Sequence, residues 1–172
     1  TDREPPWREK PERALVTMGG SDIENVTPTI VRAFDGLDVH VDVIVGPGFS
    51  DEQEREIADA AASVGTEIDI RRDPDDLPAR MFQADFAVCT SSTTAYELLA
   101  LGTPIVCCPV AENQRPIATA LRSRDIASVV DDSTDEAAFR RVIERYVADS
   151  DLRCDRRETG RELVDGNGAT RT

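Results

Sequence analysis

Two short segments of this 172-residue chain combine small residues, hydroxyls and backbone amides in a way that suits phosphate binding. Residues 18–22 read Met-Gly-Gly-Ser-Asp, residues 90–94 read Thr-Ser-Ser-Thr-Thr, and each follows a strand-like apolar run. Free N–H groups at a helix start, helped by hydroxyls, hold a phosphate without any lysine. Glycine at positions 19 and 20 lets the backbone approach a ligand closely. Two such loops facing each other would suit a diphosphate.

Either loop taken alone is also an ordinary turn between a strand and a helix. A Gly-Gly-Ser segment is far less specific than a Walker loop, and the chain contains neither GxxxxGK[ST] nor GxGxxG. Both interpretations therefore stay open for these loops.

Glu97 offers a carboxylate close to the second loop. It stands three residues after Thr94, which is the spacing of a capping box, so its role could be to cap the helix. The alternative is that it accepts hydrogen bonds from ribose hydroxyls, as an acidic residue does in dinucleotide-binding folds.

Residues 109–115, Pro-Val-Ala-Glu-Asn-Gln-Arg, form a third polar segment after an apolar run. Asn113 and Gln114 offer donors and acceptors for sugar hydroxyls, and Arg115 could offset the charge of an anionic ligand. The alternative is a solvated helix start with Asn113 as its cap. A Gly-Pro-Gly segment at 46–48 predicts a tight turn that could also line the nucleotide side.

Six strand-like runs, alternating with helical patterns, must position these segments. The runs are 13–18, 39–45, 67–70, 85–89, 105–109 and 126–130. Short, β-branched and partly continuous apolar runs are typical of buried parallel strands. The alternation predicts an α/β fold with a Rossmann-like, doubly wound parallel sheet in three α/β/α layers and the strand order 3-2-1-4-5-6. Strand 1 then lies beside strand 4, with a crevice beyond their carboxyl ends.

Helix starts are predicted from residue spacing. Thr27 before Pro28 suggests an N-cap, and capping-box spacing occurs at 50–53, 94–97 and 133–136. The proline-rich polar segment 1–12 predicts a linker from a preceding domain that is missing here. Residues 13–164 are predicted to form the folded domain, and residues 165–172 an aperiodic tail.

The charge balance excludes several classes of function. The chain has 34 acidic and 20 basic residues, of which only Lys10 is a lysine, and its net charge is −14. We therefore expect no nucleic-acid binding and no attraction to anionic membranes. No apolar run is long enough to span a bilayer and there is no signal peptide, so we expect a cytoplasmic protein. Abundant acid with almost no lysine resembles haloarchaeal proteins, which predicts salt-dependent stability.

Cysteine and histidine usage predicts no metal site. The four cysteines contain no CxxC pair, and Cys107 and Cys108 are adjacent in a strand, so they point to opposite faces. His40 is the only histidine, so we expect no histidine-based metal site and no catalytic dyad in this chain.

Taken in chain order, the polar segments resemble one family. The segments are 19–22 (GGSD), 46–47 (GP), 92–97 (STTAYE), 101–104 (LGTP), 111–114 (AENQ) and the ending 165–169 (DGNGA). They resemble the C-terminal nucleotide-binding domain of the UDP-sugar hydrolase of pseudaminic acid biosynthesis and its spore-coat polysaccharide relatives. More broadly, they are similar to the C-terminal domain of MurG-like GT-B glycosyltransferases of family 28.

The resemblance implies binding of UDP or a UDP-sugar, with the catalytic residues in the missing N-terminal domain. We expect no resident metal or cofactor. A Mg²⁺ ion could accompany the diphosphate, although no residue of the chain points to one. The residues it assigns to the nucleotide-sugar are Gly19, Gly20, Ser21, Ser92, Thr93, Thr94, Glu97, Glu112, Asn113 and Gln114. Two departures matter. Ser91 and Ser92 stand where the family has glycines, and His40 does not match the family's catalytic histidine.

Three functions follow as expectations. The first is the UDP-sugar-binding domain of a hydrolase in polysaccharide or nonulosonic acid biosynthesis, favoured by residues 111–114. The second is the donor-binding domain of a GT-B glycosyltransferase. The third is a non-catalytic acidic module that docks a partner protein.

Overall fold

The structure is a computed structural model that describes residues 7–164. Its single six-stranded sheet is parallel throughout, in the order β3-β2-β1-β4-β5-β6, which confirms the predicted topology. The strands are β1 Arg13–Thr17, β2 His40–Val45, β3 Glu67–Arg72, β4 Phe86–Thr90, β5 Ile105–Cys108 and β6 Ser128–Val129. The predicted linker residues 1–6 and the predicted tail 165–172 lie outside the described residues.

Helices cover both faces of the sheet, and none of those within residues 7–164 has the length and apolar character to cross a bilayer. They are α1 Thr27–Ala33, α2 Asp51–Ser63, α3 Leu77–Gln83, α4 Thr93–Ala100, α5 Arg115–Ser123, α6 Glu136–Ala148 and α7 Ser150–Val164, with a 3₁₀ turn at Glu112–Gln114. Three layers of this kind bury the sheet on both sides.

Each face of the sheet has its own apolar core. Alternate strand residues such as Val16 and Val43 pack with α1, α2 and α6, whereas Leu15 and Ala87 face α4 and α5. Since side chains alternate along a strand, the near-continuous apolar sequence of β4 serves both cores. The chain therefore leaves β1 towards one face and β4 towards the other, as a doubly wound fold requires.

The predicted helix starts at 27, 50–53 and 133–136 agree only in part with the structure. Ser50 and Gln53 form the predicted reciprocal capping box of α2. The box predicted at 133–136 is wrong, because α6 begins at Glu136 and the carboxylate of Asp135 accepts from the backbone N–H of Ala138. Thr27 is not an N-cap, since α1 already includes it.

Residues 7–12 form no helix or strand, but hydrogen bonds hold both ends of this segment against the domain. The buried carboxylate of Asp85 accepts from the backbone N–H groups of Glu12 and Arg13, at 2.8 and 2.9 Å. From α7, the buried Arg153 guanidinium donates to the carbonyls of Arg8 and Glu9. Burial lowers the pKa of Arg153, a shift that the nearby carboxylates of the domain oppose.

Candidate functional site

The loop after β1 is built around the buried carboxylate of Asp22. Its Oδ1 accepts from the N–H of Val26 at 3.0 Å, and its Oδ2 accepts from the N–H and the hydroxyl of Thr27 at 2.9 and 2.6 Å. Asp22 adopts a φ of +43° and Gly19 a φ of +83° to make this turn. Sequence reasoning left Asp22 out of the candidate site residues.

This arrangement changes what the first loop can offer an anion. The amides at the start of α1 are occupied by Asp22, so they are not free to bind a phosphate. The backbone of Gly19, Gly20 and Ser21 is the part of the loop left at the surface, with Gly20 exposed and the other two half-buried. Any phosphate contact on this side must therefore come from the loop rather than from the helix start.

The loop after β2 holds the glycine loop in place. The N–H of Gly48 donates to the carbonyl of Gly20 at 2.8 Å. The side-chain amide of Gln53 donates to the carbonyls of Ser21 and Asp22, both at 2.9 Å. The segment 46–48 is thus more than a tight turn, since it fixes the conformation of the loop beside it. Gln53 could have been found from sequence only as a capping residue.

The loop after β4 leaves its helix start open. Ser92 is the N-cap of α4 but makes no capping bond, because its hydroxyl lies 2.8 Å from that of Thr90. Thr93 is exposed and Thr94 half-buried, at the first two positions of the helix. The amino end of an eight-residue helix carries partial positive charge, so this end favours an anion.

Strand pairing places the two loops side by side. Thr17 of β1 lies opposite Cys89 of β4, so the residues that follow both strands emerge at neighbouring positions on the carboxyl edge of the sheet. Their helices then leave to opposite faces. The structure thus brings the glycine loop and the open start of α4 to the crevice that the topology predicts.

Glu97 is not the capping residue that its spacing suggests. Helix α4 begins at Thr93, so Thr94 lies inside the helix and the predicted box at 94–97 is wrong. Glu97 lies in the second turn with its side chain exposed, and its carboxylate has no hydrogen-bond or ion-pair partner within residues 7–164. Its carboxylate is therefore available to a ligand.

The third polar segment is partly occupied by its own contacts. The side-chain oxygen of Gln114 accepts from the N–H of Val110 at 3.0 Å and so fixes the turn after β5. Glu112 is exposed and pairs with Arg115 at 3.3 Å. Asn113 is exposed and does not cap the following helix, whose N-cap is Gln114.

A cleft of about 480 Å³ beside this segment is strongly acidic. Glu24, Glu112, Asp131 and Asp132 line it, against the single guanidinium of Arg115. The electrostatic field of these carboxylates also acts on the thiol of Cys108, whose pKa is raised to about 12. Burial is the largest cause of this shift, followed by Cys107 and the carboxylates of Asp131, Asp132 and Asp22. A diphosphate would be repelled here, whereas uncharged sugar hydroxyls would find acceptors.

Comparison with known proteins identifies the architecture. No protein-family model and no curated protein matches this chain. Among solved structures, the chain is similar to Acinetobacter baumannii MurG, with a TM-score of 0.76 and 17% identity over 99% of this chain and 52% of MurG. It is also similar to the calicheamicin glycosyltransferase CalG4, with a TM-score of 0.70 and 22% identity over 98% of this chain and 42% of CalG4.

A third similar structure is the spinosyn rhamnosyltransferase SpnG complexed with thymidine diphosphate. Its TM-score is 0.68, with 17% identity over 95% of this chain and 43% of SpnG. At these identities the likeness is one of fold: the chain has the Rossmann-like architecture of the C-terminal half of GT-B glycosyltransferases. It spans about half of the length of MurG and less than half of the other two.

Proposed function

We propose that this domain binds a nucleoside diphosphate-sugar, as the donor half of a GT-B glycosyltransferase. The observation that carries the proposal is the uncapped start of α4 beside the glycine loop, at the switch point between β1 and β4. The likeness to glycosyltransferase folds, one of them complexed with thymidine diphosphate, supports it. The sequence resemblance favours UDP as the nucleotide.

The roles of the residues follow from their positions. In this proposal, the loop backbone at 19–21 and the amides and hydroxyls of 92–94 bind the diphosphate. Glu97 binds the ribose hydroxyls from the exposed face of α4. Glu112, which lines the acidic cleft, and the exposed Asn113 beside it in sequence contact the sugar, with Gln114 holding their segment in position.

The chemistry expected of this half is stabilisation of the leaving diphosphate. When the sugar–phosphate bond breaks, negative charge grows on the diphosphate oxygens, and preorganised amides and a helix start stabilise that charge. The base that activates the attacking hydroxyl would come from a second domain. We expect this chain by itself to bind the nucleotide without turning it over.

Calorimetry with UDP in high KCl tests the binding proposal. We expect one site, and Glu97→Gln should weaken UDP binding about tenfold, the effect of losing a hydrogen bond to a charged group. Glu162→Gln is the matched control, because Glu162 is an exposed glutamate on α7 and its loss removes the same charge. Absence of binding at millimolar UDP would overturn the proposal and favour the acidic docking module.

A hydrolase remains the second candidate, because the Ala-Glu-Asn-Gln segment at 111–114 resembles that branch. The two enzymes differ only in the attacking group, water or an acceptor hydroxyl. Labelled UDP-sugar incubated with the protein carrying its second domain separates them. Release of free sugar without an acceptor indicates a hydrolase, and turnover only with an acceptor indicates a transferase.

A further inference from the structure

Four polar side chains form a cluster on strands β2 and β3, away from the loops described above. Strand register pairs His40 with Glu67 and Asp42 with Asp69. Because residues two apart on a strand point to the same face, all four side chains project from one face of the sheet. The sequence gives no sign of this cluster, since the four residues belong to two segments more than twenty residues apart.

Three of these side chains converge. His40 Nε2 lies 2.9 Å from Asp69 Oδ2 and 3.4 Å from Asp42 Oδ1. One ligand atom from each of the three residues lies within 4.8 Å of the others. Ligand atoms around a tetrahedral Zn²⁺ stand about 3.3 Å apart, given metal–ligand distances of about 2.0–2.1 Å. The cluster thus needs only small side-chain adjustments to surround a cation.

The buried side chain of Asp42 gives an independent reason to expect a bound cation in this cluster. Its side chain is 9% exposed, and its Oδ2 accepts from Arg80 at 3.2 Å. Its other oxygen, Oδ1, is buried and accepts no hydrogen bond from any residue in the range 7–164. A buried carboxylate oxygen without a partner is costly, and this one is directed at His40.

The surroundings of the cluster also fit a metal ion. Glu67 Oε2 lies 3.6 Å from His40 Nδ1, which is the position of the carboxylate that orients a metal-bound histidine. Arg71 contacts Asp69 at 3.4 Å, but both side chains are about half exposed, so this pair is weak and easily displaced. The three carboxylates outnumber the two guanidinium groups, Arg71 and Arg80.

We propose that His40 Nε2, Asp42 Oδ1 and Asp69 Oδ2 bind one divalent transition-metal ion, Zn²⁺ being the best match, with water as the fourth ligand. An imidazole favours Zn²⁺ over Mg²⁺ and Ca²⁺, which prefer oxygen ligands alone. His40 and Asp42 lie at the beginning of β2, whereas the candidate donor loops follow strand ends. The ion would therefore have a structural role, holding the edge strand β3 to β2.

Titration of the full chain with Zn²⁺, after a chelator has removed bound metal, tests the proposed metal site. The titration needs high KCl, to screen diffuse binding by a chain of net charge −14. It also needs a Cys154→Ser background, because this half-exposed thiol could bind Zn²⁺ by itself. We expect one equivalent bound, a raised Tm, and shifted imidazole nitrogen signals in NMR spectra. Those signals are unambiguous because His40 is the only histidine.

Two charge-removing variants distinguish Zn²⁺ binding at this site from diffuse Zn²⁺ binding to the acidic surface. Asp69→Asn should weaken Zn²⁺ binding at least tenfold, and it should fold normally because Asp69 is about half exposed. Asp59→Asn, on the exposed side of α2, removes the same charge and should leave Zn²⁺ binding unchanged. Equal losses in the two variants, or imidazole signals that Zn²⁺ does not move, would overturn the proposal. Loss of UDP binding would not affect it, since the two sites lie apart.

Discussion

The backbone of Gly46 lies against that of Gly20 with no room for a side chain. A Cβ atom on Gly46 would lie 2.5 Å from the carbonyl oxygen of Gly20 and 2.7 Å from its Cα. Gly48 is nearly as close, with 3.0 Å to the same oxygen. The loop after β2 thus fits against the glycine loop only through glycines, and this contact determines where the proposed diphosphate site lies.

We expect Gly46→Ala to displace the glycine loop, because backbone must move to admit the methyl group. The free energy of unfolding should fall by about 1–3 kcal/mol, and UDP affinity should fall as well. Urea denaturation and calorimetry measure the two effects. Gly65→Ala is the control: its nearest neighbour is Asp35 Oδ1 at 3.8 Å, so its stability should change by less than about 1 kcal/mol. Equal stability of the two variants would contradict the packing argument.

Asp22→Asn should destabilise the domain by about 1–3 kcal/mol. The carboxylate accepts three hydrogen bonds in a buried place, and an amide can replace only one of its two oxygens. Asp135→Asn, at the N-cap of α6, should cost much less, because Asp135 accepts one bond there and asparagine caps helices equally well. Chemical denaturation of both variants checks the difference, and similar losses would show that Asp22 is an ordinary cap.

Ser91→Ala should leave stability unchanged or raise it by up to about 1 kcal/mol. The Ser91 hydroxyl is buried and has no hydrogen-bond partner among the described residues, so removing it relieves a desolvation cost. Thr103→Val is the contrasting variant, because the Thr103 hydroxyl donates to the carbonyl of Met81 at 2.8 Å and its loss should destabilise. Thermal unfolding of the two proteins measures this, and a clear loss of stability in Ser91→Ala would reveal a partner for that hydroxyl.

Stability should fall at alkaline pH through Cys108. Burial raises the pKa of this thiol from 9.0 to about 12. The folded protein keeps the proton while the unfolded chain loses it, so the contribution is complete below pH 9 and is lost as the pH rises towards 12. The loss is about 1.4 kcal/mol per pH unit for one group.

Denaturation curves across that range, compared between variants, isolate the thiol. Cys108→Ala should show a shallower decline with pH than the parent protein. Val106→Ala, in the same strand and the same core, should lose stability at every pH without a change of slope. A decline of equal slope in all three proteins would assign the effect to other groups.

The free energy of unfolding should rise steeply as KCl increases from low to molar concentration. The net charge of −14 makes the folded chain repel itself, and salt screens that repulsion. A Tm that stays flat over the same range, or that rises equally in sucrose, would remove the charge explanation.

The topology was predictable because it depends on patterns local to each segment. Short apolar runs alternating with helical periodicity predict the parallel sheet, and the doubly wound order then places β1 beside β4. Capping was harder to predict: spacing predicts the box at 50–53 correctly, but at 94–97 the helix begins one residue before Thr94. A two-residue difference in the N-cap, Ser92 instead of Thr94, is enough to change the role of Glu97 from cap to exposed carboxylate.

The roles of Gln53 and His40 depend on contacts between segments distant in sequence. Gln53 reaches the loop after β1, and His40 meets Asp69 only through the register of two strands. Residue types and spacing do not encode such contacts, since register is set by the packing of whole strands. The donor loops could thus be located from sequence, while the contacts that shape them could not.

The contact from Arg153 to the carbonyls of Arg8 and Glu9 has a consequence for proteolysis. A protease needs extended, accessible chain, and a segment held by a buried guanidinium does not supply it. Cleavage near residues 8–12 should therefore wait for α7 to detach. The sensitivity of this segment to trypsin would then report on the last helix rather than on the segment itself.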